Sequence, residues 1–141
     1  MTRRSKRRSN RLARRDRSLE ELEHDRWPDP SDDATRLVAT AHALRRKPIG
    51  ELTVEDMRLL IRQDVGLAHL LPLALEALRL DPMAEGDMYE GALLAAVVSR
   101  GPEIWSESPE LGRELRLIVA ELSDLAPDVR REVDRFLGDG R

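Results

Sequence analysis

Pairs of carboxylates are the side chains of this sequence that could most readily do chemistry. Two neighbouring acids act as general acid and base when a cleft shifts their pKa values. In an acidic chain such pairs more commonly lie at helix ends and on solvated faces. The pairs are Glu55/Asp56, Glu85/Asp87, Glu103/Glu107 and Glu121/Asp124. Since no thiol and no serine in a nucleophile elbow accompanies them, we predict that the protein is not an enzyme.

One segment has the glycine spacing of a phosphate-binding loop. Gly86 and Gly91 are separated as in that loop, but Ala92 and Leu93 occupy the positions of its lysine and hydroxyl residue. Because the lysine supplies the charge that holds a phosphate, we expect no nucleotide here. The chain has no cysteine, and its three histidines fit no recognised metal-binding spacing. We therefore predict neither a metal nor a cofactor.

Charge is divided unevenly along the chain. The 141 residues carry a net charge of −3, yet residues 1–18 hold nine basic residues and one acid, a net of +8. Residues 19–141 consequently carry −11. An acidic body of this kind attracts a basic partner and repels nucleic acid. The basic tail could bind phosphates through non-specific charge, but it has no aromatic residue for base stacking.

The elements that position these residues are predicted to be helices. Apolar residues recur with helical spacing from residue 31 onward, and no convincing alternation with a period of two is present. Leu37, Ala41 and Leu44 predict one buried stripe of a helix over residues 32–46. Thr53 predicts a capped helix start, and a leucine-rich helix, central in the core, is expected to begin near Leu70 because Pro72 is tolerated only in a first turn.

The predicted fold class is all-α, with six or seven helices in one compact domain over residues 19–141. The helices expected later in the chain cover residues 92–99, 108–123 and 127–137. Residues 1–18 are predicted to be a disordered tail, because their charges repel one another and they contain little apolar surface. No apolar run approaches the roughly 18 residues that a membrane span needs. We expect a cytoplasmic protein.

One long segment carries a resemblance to a known family. Residues Arg46 to Gln63 look like the immunity proteins of contact-dependent growth inhibition (CDI) systems. The similarity continues through Gly66-Leu67, Leu71 to Glu76, Leu80 to Pro82 and Ala84 to Leu94, with weaker similarity at Leu19 to Trp27, at Leu37, His42, Leu44 and Arg45, and at Trp105. It therefore spans about residues 19–117, and the basic tail lies outside it.

This resemblance implies a cytoplasmic binding protein without a catalytic role. In such systems a large surface protein delivers its C-terminal toxin domain, often a nuclease, into neighbouring cells. The immunity protein binds the cognate toxin domain and neutralises it. The partner implied is thus a protein, with no membrane and no small-molecule substrate. The alternative is a small helical regulator that binds nucleic acid through its basic tail.

Two acidic segments that each contain an aromatic residue are the candidate toxin-binding sites that follow from the resemblance. The first comprises Glu85, Asp87, Tyr89 and Glu90, and the second comprises Glu103, Trp105 and Glu107. Tyr89 could supply a rigid, amphipathic anchor among the acids. For Trp105 a structural role is the alternative, because a tryptophan in this position more commonly packs in the core or covers it.

Overall fold

The computed structural model of the protein describes residues 15–84 and 89–139. Over these residues it contains eight α-helices and one short 3₁₀ helix, and no strand, which confirms the predicted all-α class. The α-helices are α1 (Leu19–Glu23), α2 (Arg36–Arg45), α3 (Val54–Arg62), α4 (Leu67–Leu80), α5 (Ala92–Val98), α6 (Pro102–Glu107), α7 (Pro109–Ala120) and α8 (Pro127–Asp139). The 3₁₀ helix, Ile49–Glu51, lies between α2 and α3.

The chain divides into two compact units, residues 1–52 and residues 53–141. The first unit contains α1, α2 and the 3₁₀ helix, and the second contains α3 to α8. The assignment of residues 19–141 to one domain stays a prediction. None of the helices in the described ranges is long and apolar enough to cross a membrane.

The residues just before α1 are held to the 3₁₀ helix. Ser18 and Pro48 form an isolated antiparallel bridge, and the Ile49 amide donates to the Arg17 carbonyl over 2.9 Å. Ser18 also caps α1, because its hydroxyl accepts from the Glu21 amide while the Glu21 carboxylate accepts from the Ser18 amide. The predicted tail, residues 1–18, thus has an ordered end at residues 15–18, and residues 1–14 lie outside the described structure.

Helix α2 is shorter than predicted, and its buried side lies in its second half. It begins after Thr35, whose hydroxyl accepts from the Val38 amide, and Ala41, Leu44 and Arg45 are buried. Leu37 was expected inward, but half of its surface (50%) is exposed. The expectation was wrong because the first turn of α2 is exposed to solvent. Helical spacing alone does not show at which residue a helix begins to pack against the rest of the protein.

The second unit is built around α5, whose seven residues are all buried. Helix α5 packs against α3, α4 and α8, while α4 also packs against α7. The sequence placed α4 at the centre instead. Helix α4 buries only one face, and α5 takes the central place because its alanines and valines admit close neighbours on every side.

Two local predictions for this unit have different outcomes. The capped start of α3 is confirmed, since the Thr53 hydroxyl accepts from the Asp56 amide and the Asp56 carboxylate accepts from the Thr53 amide. The start of α4 near Leu70 is wrong, because the helix begins at Leu67 after Gly66 and contains Pro72. Proline costs α4 one backbone hydrogen bond, which the buried leucines on either side of it offset.

Candidate functional site

Tyr89 and Glu90, the described residues of the first acidic segment, are positioned by a turn at the start of α5. The Gly91 amide donates to the Met83 carbonyl over 3.1 Å, and the Ala92 amide donates to the Tyr89 carbonyl over 2.9 Å. The turn leaves Tyr89 with 42% of its surface exposed and Glu90 in solvent. Glu85 and Asp87, the other two candidates in this segment, lie outside the described residues.

Gly91 is the residue that allows this turn to close. Its φ of +83° is in the left-handed region, where a side chain is strained. A Cβ atom there would also lie 3.2 Å from Cε of Met83 and 3.5 Å from a methyl of Val129. The conformation of Gly91 therefore fixes the position of Tyr89 and Glu90 relative to α5.

The second acidic segment is a separate short helix, α6, which the sequence did not predict. Gly101 precedes it and Pro102 occupies its first turn. Proline is nonetheless well suited to a first helical position. Helix α6 has no fully buried residue, and it holds Glu103 and Glu107 in solvent.

Trp105 anchors α6 to the rest of the second unit. Its ring meets Phe136 of α8 edge to face, with the ring centroids 5.5 Å apart. Gly112 of α7 gives it room, because a Cβ atom on that glycine would lie 3.6 Å from Cβ of Trp105. The indole Nε1 is buried and has no hydrogen-bond partner among the described residues. Trp105 is half-buried and packs inward, so its position favours a supporting role over direct contact.

The structure does not bring the two acidic segments together at one point. Tyr89 and Glu90 precede the first residue of α5, whereas α6 follows its last. The seven residues of α5 span about 10 Å at a rise of 1.5 Å per residue. A protein interface of ordinary size contains 20–30 residues on each side, so one partner is large enough to contact both segments.

Acids outnumber basic residues in the second unit, and those acids of the two segments that the structure describes form no ion pairs. Residues 53–141 contain 18 acids and ten basic residues, a net of −8. Glu90, Glu103 and Glu107 form no ion pair with any residue the structure describes. Most arginines of the unit do pair: Arg58 with Glu55, Arg79 with Glu114, Arg100 with Asp64, Arg130 with Asp134, Arg131 with Asp128 and Arg135 with Glu132.

Two carboxyl groups of the first unit have lowered pKa values. Hydrogen bonds from the Ser18 amide and hydroxyl lower the pKa of Glu21, and a hydrogen bond from Arg46 lowers that of Asp29. The pKa of Arg46 is raised by the same contact, in which its Nη2 lies 2.8 Å from Oδ1 of Asp29. These are a helix cap and a surface ion pair, so they stabilise structure and indicate no catalysis.

The described ranges contain no group of three or more histidine or acidic residues that could hold a metal ion. Asp64, which lies near His69 in the sequence, pairs instead with Arg100 at 2.7 Å.

A buried cluster in the first unit was not predicted from any motif of the sequence. Arg45 has only 1% of its surface exposed, and its Nη2 donates to Oε1 of Glu23 and to the Asp25 carbonyl, each over 2.8 Å. Its guanidinium lies 4.1 Å from the ring centroid of Trp27, which also meets His42 edge to face. All of these residues lie in the parts of the sequence that carry only the weaker similarity to the family.

Comparison with known families decides the assignment. The model of the family described as CDI immunity proteins matches residues 21–115, roughly two thirds of the chain. The chain belongs to this family. A search of curated proteins found no match. The family suggested by the sequence is therefore confirmed, over nearly the same residues.

Membership gives this CDI immunity protein a partner and a role. Family membership supports a function in immunity against CDI toxins, and this function involves binding a cognate toxin protein. The match includes both acidic segments and the Arg45 cluster, and it ends within α7. Helix α8, which packs against α5, follows the matched residues.

Proposed function

We propose that this CDI immunity protein neutralises its toxin without catalysis, by forming a stoichiometric complex in the cytoplasm of the cell that makes it. In this proposal the acidic surface of the second unit covers a basic toxin surface, which in a nuclease is the surface that binds nucleic acid. The observation that carries the proposal is the set of exposed, locally unpaired acids: Glu90, Glu103 and Glu107. Their charge is available to a partner.

Electrostatic attraction accounts for the rate as well as the specificity of such binding. Complementary charge steers encounter and raises association rate constants from about 10⁵–10⁶ toward 10⁸–10⁹ M⁻¹s⁻¹ at low salt. Added salt screens exposed charges over a Debye length of about 8 Å at physiological ionic strength. The proposal thus requires an association rate that falls steeply as salt is added.

The candidate residues take different roles in the proposed complex. Tyr89 is exposed enough to enter the interface, and the acids beside it, Glu85, Asp87 and Glu90, surround it in the sequence. Glu103 and Glu107 form the second contact area. Trp105 acts through α6, because its packing on Phe136 fixes the position of the helix that carries those two acids.

The test measures binding of the toxin domain encoded beside this gene. The double variant Glu103→Gln/Glu107→Gln is expected to slow association at low salt about tenfold and to leave dissociation nearly unchanged. The matched control is Asp32→Asn/Asp33→Asn, which removes two exposed acids from the first unit. If both doubles slow association equally, general charge and not this surface is responsible. If the wild-type protein forms no one-to-one complex, the occlusion mechanism is wrong.

A further inference from the structure

The two most exposed large apolar side chains of the described residues lie on one pair of packed helices. Leu80, at the end of α4, has 87% of its surface exposed, and Leu117, in α7, has 72%. Helices α4 and α7 pack against each other, and an ion pair between Arg79 and Glu114 links them. Leu80 follows Arg79 directly, and Leu117 lies one helical turn after Glu114. A single exposed leucine is ordinary on a protein surface, but two beside the same interhelical ion pair form a surface feature.

The outer side of α7 extends this feature into a stripe. Gly112, Leu115 and Val119 face the core, and the exposed positions with helical spacing are Glu110, Arg113, Leu117 and Ala120, followed by Glu121 just after the helix. Glu110, Arg113 and Glu121 form no ion pair with any residue in the described ranges. We call Leu80, Glu110, Arg113, Leu117 and Glu121 the α4–α7 face. It has apolar residues in its middle and charged residues around them, which is the arrangement of a protein interface.

We infer that the α4–α7 face binds the cognate toxin. The part of the toxin that it contacts has an apolar surface bordered by lysine or arginine side chains. This inference rests on the proposed function, and it adds an aliphatic contact area to the two acidic segments. The charge of this face favours a basic partner over a second copy of the chain. Its acids outnumber its one arginine, and exposed Asp81 and Asp124 lie at the ends of the two helices. A second copy of the chain would bring like charges together, which disfavours self-association, whereas a basic partner is attracted.

Leu117 serves as the anchor of this face. A leucine that passes from nearly full exposure to burial in an interface contributes apolar area at the centre of the contact, where truncation is most costly. Its side chain takes little part in the packing of α7, so replacing it changes the surface and leaves the fold intact. Glu110 and Glu121 lie one to two helical turns from Leu117, on either side of it. Their carboxylates attract the basic side chains that border the apolar surface of the partner.

The experiment compares Leu117→Asp and Leu80→Asp with the wild-type full chain in binding to the toxin domain encoded beside the gene. Each variant is expected to raise the Kd at least tenfold, chiefly through faster dissociation, with thermal unfolding unchanged. Leu117→Met, which keeps an apolar side chain, is expected to retain the wild-type Kd. The matched control is Leu37→Asp, which adds the same charge at an exposed leucine of the first unit.

Each outcome decides between the possible occupants. If the wild type binds the toxin and both aspartate variants bind as tightly, this inference is overturned while the proposed function stands. A wild type that is dimeric by sedimentation, with Leu117→Asp monomeric and toxin affinity unchanged, would assign the face to a second copy and also overturn it. If the wild type does not bind the toxin at all, the proposed function and this inference fail together.

Discussion

At the scale of single residues, backbone conformation and burial decide which substitutions matter. Gly91 illustrates the first, because its positive φ and the nearby Met83 leave no comfortable place for a side chain. Arg45 illustrates the second, because a charged group has been removed from water and compensated by a carboxylate, a carbonyl and an aromatic face. Neither residue belongs to the proposed contact surface, yet each positions a segment of the chain.

Gly91→Ala is expected to destabilise the protein by about 1–2 kcal/mol, the cost of a left-handed conformation for a residue with a Cβ atom. Its contact with Met83 adds to that cost unless the methionine moves. The control is Gly138→Ala in α8, where a Cβ atom meets nothing within 4 Å. That substitution is expected to be neutral or to stabilise by up to about 1 kcal/mol, because alanine favours a helix interior. Urea unfolding of both variants measures the difference.

Arg45→Ala is expected to lower the free energy of unfolding by about 3 kcal/mol, because it removes a buried partner of Glu23 and of the Asp25 carbonyl and leaves a void beside Trp27. The comparison is Arg46→Ala, which breaks a surface ion pair with Asp29 and is expected to lower the free energy of unfolding much less, because solvent screens exposed charges. Chemical denaturation followed by tryptophan fluorescence reports both. Equal losses for the two arginines would contradict a special role for the buried one.

At the scale of elements, local end signals predicted some helix starts and misplaced others. The capped start of α3 follows from side chains three residues apart, so the sequence predicted it. Pro72 indicated a wrong start for α4, because the helix continues through the proline. Helix α6 was missed because its six residues lie between two breaks and have no repeating apolar face. The exposed first turn of α2 and the burial of Arg45 depend on residues distant in sequence, and no local pattern indicates them.

The capping box of α1 gives this element a dependence on pH. Since the pKa of Glu21 is lowered in the folded state, its contribution is fully present above its ordinary value of 4.5 and is lost as pH falls through the lower, folded value. Wild type is therefore expected to be more stable than Glu21→Gln at pH 6–7, with the difference vanishing in acid. Thermal unfolding of both proteins between pH 7 and pH 3 measures this. A difference that persists at the acid end would mean that the charge of Glu21 is not its source.

In the candidate site too, local sequence predicted the exposure of side chains but not their arrangement in space. The exposure of Tyr89, Glu90, Glu103 and Glu107 agrees with their selection as surface residues, since charge and polarity favour solvent. Their separation by the length of α5 could not be predicted, because α6 was not. The α4–α7 face was not predicted from the sequence, because only the packing of the two helices shows that Leu80 and Leu117 both face solvent.

At the scale of the whole molecule, the charge asymmetry separates the proposed function from its alternative. Residues 1–14 contain seven basic residues and no acid, so removing them changes the net charge from −3 to −10. A regulator that acts through the tail should lose its binding to RNA or DNA after this deletion. An immunity protein that uses its acidic surface should keep neutralising the toxin.

The deletion also has a kinetic consequence for the immunity protein. A basic tail repels a basic toxin at long range, so its removal is expected to raise the association rate several-fold at low salt, with the gain disappearing near 0.5 M salt. The deletion should end at residue 14, because Arg15 contacts Gly50 and belongs to the folded first unit. Stopped-flow mixing with the toxin domain measures the rates. A slower association without the tail would show that the basic residues take part in toxin binding, and the acidic surface would then account for only part of the recognition.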